Sequence, residues 1–267
     1  MKNKYSEKFS LKGKLAFILG GSGLIGQEVS LALSLSGARV ICLDVKNNIK
    51  FIKKNKNIIY KYLDSSNLNT SSSELNNIIN KYGCPNIFIN CSYPRSKDWG
   101  NSSFKKISLN NFQENIKLHL NSYVWFSKII AEKMKKNKIR GSIILLSSIY
   151  GILGQDLNIY KGTKMTENVT YSVIKGGIVN FARQSSSYYG QFNIRVNSIS
   201  PGGIKGHVAG SGKTQSKKFL KNYVNKVPLK RMCSTEDVAS AILFLSSDAS
   251  SYITGSNLVI DGGWSII

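Results

Sequence analysis

Tyr171 and Lys175, four positions apart, are the residues in this sequence best suited to do chemistry. Residues with that spacing lie on one face of a helix, so the lysine ammonium can sit beside the phenol. A neighbouring positive charge favours the phenolate, so we expect the pKa of Tyr171 to fall from its ordinary value of about 10. Such a tyrosine can donate a proton to a carbonyl or accept one from an alcohol. The same spacing also occurs on solvated helix faces. The surrounding sequence must therefore show whether this pair is catalytic.

A glycine-rich turn follows a short apolar run, 15–19 (LAFIL), that is typical of a buried parallel strand. An amphipathic stretch, 27–35, comes next. Glycines let the backbone approach a pyrophosphate, and a helix N-terminus offers it amide donors. This pattern predicts a dinucleotide site, although a turn that only packs a helix on a strand is the alternative. The residues predicted to line the site are Gly20, Ser22, Gly23, Leu24, Ile25 and Gly26.

An acidic residue, Asp44, closes the next apolar run, 38–43. A carboxylate at the end of the second strand suits a ribose 2′-hydroxyl and repels a 2′-phosphate. The sequence therefore favours NAD over NADP, although nearby Lys46 could weaken the exclusion of NADP.

Strand-like and helix-like segments alternate along the chain, which predicts an α/β fold with a parallel, doubly wound sheet. Further strands are expected at 57–63, 86–89, 141–146, 194–199 and 257–260, and further helices at 75–82, 109–136, 170–189 and 235–245. Ligands bind such sheets beyond the carboxyl ends of the strands. The polar residues expected at those ends are Asp44, Asp64, Asn90, Ser148, Pro201 and Gly202.

Length and composition suit one globular domain: 267 residues, 42% of them hydrophobic. The N-terminus is polar and basic, and no apolar run approaches the length of a membrane span, so we expect a cytoplasmic protein without a membrane partner. Cys42, Cys84, Cys91 and Cys233 lack metal-binding spacing, which predicts a reducing compartment and no metal.

The net charge of +23 raises the question of nucleic-acid binding. Most of the basic residues are lysines scattered along the chain, and no zinc, helix-turn-helix or RNA-binding motif accompanies them. We therefore expect weak, salt-sensitive association and no specific nucleic-acid partner.

These motifs, in this order and spacing, resemble the short-chain dehydrogenase/reductase family over nearly the whole chain. The matching pieces are the glycine turn, Asp64, Asn90, Ser148, Tyr171 with Lys175, 195–197 (RVN) leading to Pro201 and Gly202, and the tail 254–263. The resemblance implies one Rossmann-type domain over 1–267 with a seven-stranded parallel sheet. It also implies an N-terminal extension at 1–13, an inserted substrate loop at 153–168 and a substrate lid at 203–227.

The resemblance implies a mechanism as well. Tyr171 is the acid/base, Lys175 lowers its pKa and binds the nicotinamide ribose, and Ser148 hydrogen-bonds the substrate oxygen. Ser147 is the neighbouring candidate for the serine role. The implied cofactor contacts outside the glycine turn are Asp44, Asp64, Ser65, Asn90, Cys91, Ser92, Tyr171, Lys175, Pro201, Gly202 and Ile204.

The chain departs from the family pattern in three places. Leu19 and Leu24 stand where the family's single-domain members have threonine and glycine, and the glycine spacing matches a longer, sugar-nucleotide-acting branch. His119 occupies the position of the family's catalytic asparagine; it could relay a proton through water or only pack. Asn121, two residues on, would point elsewhere on a helix. The inserted loop lengthens the interval between Ser148 and Tyr171.

The loop after the fourth expected strand, 93–99, and the inserted loop, 153–168, both carry basic residues and should border the substrate. Their charge suggests an anionic, polar substrate. Arg95 is the strongest indication of an anionic substrate, because a guanidinium forms bidentate hydrogen bonds with carboxylate or phosphate. For Lys161 and Lys164, the high lysine content of the whole chain is an alternative explanation. Tyr93, Trp99 and Tyr160 suit stacking on a sugar. The predicted substrate contacts are Tyr93, Arg95, Lys97, Tyr150, Tyr160 and Lys161. His207, in the lid, is more typical of a solvated loop residue.

Within the family, the runs SYPRSKDWG and NIKLHLNSY and the inserted loop are most similar to oxidoreductases of flagellin modification and surface-glycan biosynthesis. That implies a sugar, sugar phosphate or nucleotide sugar as substrate. The alternatives are a 3-oxoacyl-carrier-protein reductase and a non-catalytic dinucleotide-binding protein. The family resemblance also implies a homodimer or homotetramer that pairs through the helices around 115–136 and 171–189.

Overall fold

Seven strands form a single sheet in the computed structural model of the protein, which describes residues 4–47, 55–206 and 214–267. The strands are β1 (Leu15–Leu19), β2 (Arg39–Asp44), β3 (Ile58–Tyr62), β4 (Ile87–Asn90), β5 (Gly141–Leu146), β6 (Ile194–Pro201) and β7 (Asn257–Ile260). All pairs are parallel, in the order β3-β2-β1-β4-β5-β6-β7. This confirms the predicted doubly wound, Rossmann-type fold.

Helices cover both faces of the sheet. They are α1 (Lys4–Glu7), α2 (Leu24–Leu35), α3 (Leu68–Tyr82), α4 (Leu109–Asn115), α5 (Asn121–Lys136), α6 (Val169–Tyr189), α7 (Lys217–Lys226) and α8 (Thr235–Ser246). Phe17 and Leu19 of β1 belong to a core with α3, α5 and α6, whereas Ala16 and Ile18 belong to a core with α2 and α8. Because successive residues of a strand face opposite sides, a strand buried on both sides must be apolar throughout.

The chain reverses its direction of winding between β1 and β4, the switch point at which such sheets bind ligands. Leu19 pairs with Leu43 on one side and with Asn90 on the other. The glycine turn after β1 therefore lies between the ends of β2 and β4, which carry Asp44 and Asn90.

The helices differ from the sequence expectation at several places. The helix predicted over 109–136 is interrupted by a π turn, Ile116–Leu120, between α4 and α5. α2 and α3 begin at Leu24 and Leu68, before the expected positions 27 and 75. α7 was not expected, because the polar segment ahead of it suggested only a loop.

A third, smaller core joins the inserted loop to α7. Its buried members are Ile149, Ile159, Phe219, Tyr223, Val227, Met232 and Trp264. Within the described part of the chain, no helix combines the length and apolar character needed to cross a bilayer.

Candidate active site

Ser148 and Tyr171 meet beyond the carboxyl end of β5. Ser148 begins a short 3₁₀ turn, Ile149–Gly151, and its Oγ accepts a hydrogen bond from the Tyr150 amide at 3.2 Å. α6 begins at the capping residue Asn168, whose Oδ1 accepts from the Tyr171 amide at 2.7 Å. The Ser148 hydroxyl lies close enough to the Tyr171 phenol to lower the pKa of that phenol.

The two candidate serines have different roles. Ser147 is buried, and its Oγ donates to the Lys175 carbonyl of α6 at 2.8 Å. That hydroxyl holds α6 against the end of β5. Ser148 is the serine whose hydroxyl reaches the phenol.

Lys175 is 1% exposed, and its Nζ donates to the Leu146 carbonyl at 2.7 Å. The ammonium lies 5.6 Å from the centroid of the Tyr171 ring. Burial lowers the pKa of Lys175 from 10.5 to about 7, and the nearby Cys91 partly opposes this effect. At neutral pH the lysine is therefore poised between its charged and neutral forms.

The expected fall in the pKa of Tyr171 does not occur in this structure. Burial raises the pKa of the phenol above 10, and the hydrogen bond from Ser148 offsets only part of that rise. The expectation was wrong for this state because it counted the charge of Lys175 and not the loss of water around the phenol.

His119 is fully buried on the π turn, among the rings of Tyr93, Tyr123 and Trp99 at centroid distances of 4.9, 5.4 and 6.5 Å. Within the described chain neither ring nitrogen has a hydrogen-bond partner. Burial, followed by the charges of Lys175 and Arg95, holds the pKa of His119 well below its usual value. The imidazole is thus neutral, packed near Lys175 and not hydrogen-bonded to it. Asn121 is exposed and turned away, as expected.

The glycine turn is closely packed and shaped for an anion. Gly20 has φ +78°, and a Cβ there would lie 2.6 Å from the Ser92 amide nitrogen. A Cβ on Gly26 would lie 2.1 Å from the Gly20 carbonyl oxygen. Gly23 precedes α2 without a side-chain cap, so the first amides of this helix, at Leu24 and Ile25, are open to a ligand.

Asp44 is half-buried at the end of β2, beside this turn. Its carboxylate accepts from the amides of Ser22 at 2.9 Å and Val45 at 2.8 Å. Those bonds fix the carboxylate next to the N-terminus of α2, where the sequence predicts a ribose. None of the three ion pairs in the described chain involves Asp44.

The other predicted cofactor residues also lie at strand ends. Asn90 is buried, and its Oδ1 accepts from the Ser92 amide and hydroxyl at 3.0 and 2.7 Å. Asp64 instead accepts from the amide and hydroxyl of Ser66. The remaining candidates end or follow β3, β4 and β6, and their contacts with a cofactor stay predictions: Ser65, Cys91, Pro201, Gly202 and Ile204.

The predicted aromatic platform for a sugar is largely occupied by protein. Trp99 is 7% exposed and lies edge-on to Tyr171 at 6.3 Å. Tyr160 stacks on Phe219 of α7 at 6.2 Å. Tyr93 is half-buried and meets Trp99 edge-on at 5.7 Å. Trp99 is therefore largely enclosed by protein, whereas Tyr93 and Tyr160 are half-buried, and their contacts with a substrate stay predictions.

The charged substrate candidates reach solvent. Arg95, Lys97 and Lys161 are exposed, and the Arg95 guanidinium lies 5.6 Å from the centroid of the Tyr93 ring. The Arg95 charge contributes to the lowered pKa of buried His119, so its electrostatic effect reaches the interior of the site. His207 lies outside the described residues.

Two further tyrosines border the site. Burial raises the pKa of Tyr150, and the charges of Tyr160 and Tyr223 add to the effect. The Tyr150 hydroxyl is buried, and its interaction with the Tyr160 side chain contributes to the raised pKa of Tyr150. The Tyr223 hydroxyl accepts from the Gly203 amide at 2.5 Å.

Sequence reasoning did not anticipate Tyr223 or α7, although a signal was present. Phe219, Leu220, Tyr223 and Val224 recur at helical spacing after Ser216, whose hydroxyl caps the helix. The described residues contain no cluster of three or more histidine, cysteine or acidic side chains that could hold a metal ion.

Comparisons with known proteins agree with this geometry. A family model described as enoyl-(acyl carrier protein) reductase matches residues 22–265. Post-translational flagellin modification protein A of Campylobacter coli is 32% identical over 96% of this chain and 100% of its own length. The 3-oxoacyl-[acyl-carrier-protein] reductase FabG of Buchnera aphidicola is 28% identical over 95% of this chain and 98% of its own. A short-chain dehydrogenase from Leptospira borgpetersenii, solved with bound NAD+, is 33% identical with a TM-score of 0.84, over 99% of this chain and 96% of its own.

Proposed function

Because the chain belongs to the short-chain dehydrogenase/reductase family, we propose that it transfers a hydride between NAD and a hydroxyl or keto group of a sugar, sugar phosphate or nucleotide sugar. The observation that carries this proposal is the meeting of the Ser148 hydroxyl with the Tyr171 phenol, above buried Lys175. These groups follow β5 and begin α6, on the same edge of the sheet as the glycine turn.

The residues present fit a dinucleotide. Added Cβ atoms at Gly20 and Gly26 would close the cradle, and the open amides of α2 suit a pyrophosphate. Asp44 would accept from the adenosine ribose hydroxyls and repel a 2′-phosphate, which favours NAD over NADP. The NAD+ bound to the Leptospira relative supports this preference.

The glycine turn and Asp44 would hold the dinucleotide, which would supply the hydride chemistry of the proposed reaction. Ser148 donates a hydrogen bond to the substrate oxygen, and Tyr171 transfers the proton to or from that oxygen. Charged Lys175 stabilises the phenolate electrostatically. His119 is neutral and buried near Lys175, and both of its ring nitrogens lack a partner in the described chain, so we propose that it relays a proton through a water molecule, with packing alone as the alternative.

Three observations support a polar, anionic carbohydrate as substrate. The flagellin-modification relative points to sugar chemistry. Arg95 places an exposed guanidinium beside the site, and the buried Tyr150 hydroxyl, which interacts with Tyr160, offers a polar group to a substrate hydroxyl. We propose Arg95, Lys97 and Lys161 as the charged contacts and Tyr93 with Tyr150 as the contacts on the sugar side.

A 3-oxoacyl-carrier-protein substrate is the second candidate. The FabG relative favours it, and the matching family model is described as a reductase of a different carrier-protein substrate. Asp44 argues against it, since NADPH is the usual cofactor of that chemistry.

We also propose that copies of the chain pair through α5 and α6. Trp125 of α5 is 44% exposed and Tyr188 of α6 is 49% exposed. Exposed aromatic side chains of this size are typical of subunit interfaces.

Thermal stability with NAD, and separately with NADP, is the test of these proposals. A ligand that binds only the folded protein raises the midpoint by mass action. The panel then adds sugar phosphates, nucleotide sugars and a 3-oxoacyl thioester in the presence of the preferred dinucleotide. A shift with NAD and a sugar supports the proposal, and NADH formation then identifies the substrate. A shift with NADP and the thioester supports the acyl reductase. NAD binding without turnover of any class supports a non-catalytic role.

A further inference from the structure

The inserted loop and α7 form one unit beside the substrate side of the site. Lys226 of α7 forms an ion pair with Asp156 of the loop at 2.5 Å. Asn222 donates to two loop carbonyls at 3.2 and 3.1 Å. The Tyr160 ring stacks on Phe219 at an interplanar angle of 18°. Ionic, polar and aromatic contacts thus join a loop between two candidate catalytic residues to a helix of the lid.

Gln155 connects this unit to the start of α6. Its Nε2 donates to the Asn168 carbonyl at 2.7 Å and to the Ser172 hydroxyl at 2.9 Å. Its Oε1 accepts from the Tyr160 hydroxyl at 3.0 Å and from the Asn168 amide at 3.2 Å. A primary amide offers two donors and two acceptor sites, so all of its hydrogen-bonding capacity is used.

The residue that Gln155 holds on both sides, Asn168, is the cap of α6. Asn168 Oδ1 accepts from the Tyr171 amide at 2.7 Å. Ser172, the other residue held by Gln155, follows Tyr171 directly. A continuous path of contacts therefore runs from α7 through Tyr160 and Gln155 to the backbone of Tyr171.

We propose that Gln155 is a positioning residue. It couples the position of the first turn of α6, and therefore of the Tyr171 phenol, to the position of α7. The inference rests on the proposed function of Tyr171 as the acid/base. A substrate that holds α7 in place then also holds the phenol in register with the reacting oxygen. An error of about 1 Å in such alignment can lower turnover about a hundredfold.

The decisive variant is Gln155→Glu, which keeps the shape of the side chain and replaces its two N–H donors by an acceptor. The carboxylate would face the Asn168 carbonyl and the Ser172 hydroxyl. We expect kcat to fall about tenfold to a hundredfold, with the Kd for NAD within about twofold of wild type. Hydrogen exchange at the amides of 169–172 should become faster.

Gln191→Glu is the matched control. It introduces the same chemical change after α6, where Gln191 is exposed and donates only to the Tyr188 carbonyl at 3.1 Å. Tyr160→Phe is the conservative second variant, because it removes one bond to Gln155 and keeps the ring on Phe219. It should give a smaller change in the same two readouts, and it decides the question if Gln155→Glu does not fold.

The outcomes separate this inference from the proposed reaction. Faster exchange at 169–172 in Gln155→Glu and not in Gln191→Glu supports the positioning role, even if wild type turns over no carbohydrate. Wild-type exchange and wild-type kcat in both Gln155→Glu and Tyr160→Phe would overturn it. A rise in KM alone, with kcat unchanged, would also overturn it, since that result assigns Gln155 to substrate binding.

Discussion

Buried Lys175 should make a contribution to the stability of the unliganded protein that rises with pH above neutrality, measured as the difference between wild type and a variant without this lysine. Its pKa is 10.5 in the unfolded chain and about 7 in the folded protein. One pKa unit corresponds to about 1.4 kcal/mol, so burying the charged ammonium costs about 5 kcal/mol when both states are protonated. Above pH 7 the folded state releases its proton and the unfolded state retains it. The unfolded state then binds more protons, so about 2 kcal/mol of this cost disappears between pH 7 and pH 9.

Lys175→Met removes the charge and fills a similar volume. The variant also loses the hydrogen bond to the Leu146 carbonyl, which costs about 1 kcal/mol at every pH. We therefore expect Lys175→Met to be more stable than wild type at pH 7 and to lose about 2 kcal/mol of that advantage by pH 9. Urea unfolding without NAD, at pH 7, 8 and 9, measures the difference. His119 titrates below this range and does not contribute to it.

Lys136→Met, an exposed lysine at the end of α5, controls for the loss of one positive charge. Its stability should follow the wild-type curve at each pH. If the curves of wild type and Lys175→Met run parallel from pH 7 to pH 9, the ammonium is not desolvated in the folded protein. In that case the reasoning from burial fails.

Three further substitutions test the proposed site. Tyr171→Phe should reduce turnover at least about a hundredfold while NAD still binds, because it removes the proton-transferring hydroxyl and keeps the ring; near-full turnover would disprove the mechanism. Asp44→Ala should bring the Kd values for NAD and NADP closer by about tenfold or more, because the repelling carboxylate is gone, and calorimetry with both dinucleotides measures this. Arg95→Ala should raise the KM for an anionic substrate about tenfold and leave kcat intact. An equal rise in KM from Lys97→Ala would indicate that the substrate responds to the overall positive charge of the loop and not to a specific contact with the Arg95 guanidinium.

The sheet could be predicted well from the sequence because its strands are short apolar runs that end at polar residues. Leu15–Leu19 and Gly141–Leu146 were expected with the boundaries that the structure shows. Burial on both faces makes such strands apolar, and turn chemistry bounds them. The adjacency of Gly20, Asp44 and Asn90 follows from parallel pairing alone.

The features that were missed depend on contacts between distant segments. The periodicity of 109–136 is helical on both sides of His119, so a single extra residue in the π turn leaves little trace in the pattern. The pKa of Tyr171 depends on how deeply α6 packs, which the spacing to Lys175 does not report. Gln155 lies in a loop without periodicity, and its role appears only once Asn168 and Tyr160 are brought to its two sides.

The order of the strands also bears on how the chain is made. β1 pairs with both β2 and β4, so its two edges are satisfied only after residue 90 has been synthesised. The first four strands are then contiguous in the sheet, and each later strand adds at the growing edge, β5 on β4, then β6, then β7. Domains that form during translation assemble from the N-terminus, and non-local parallel pairing is slow. We expect the nascent chain to form the glycine turn and the strands beside it before Ser148, Tyr171 and Lys175 have been synthesised. A dinucleotide present in the cell can then bind and stabilise this first part of the sheet during synthesis of the catalytic residues.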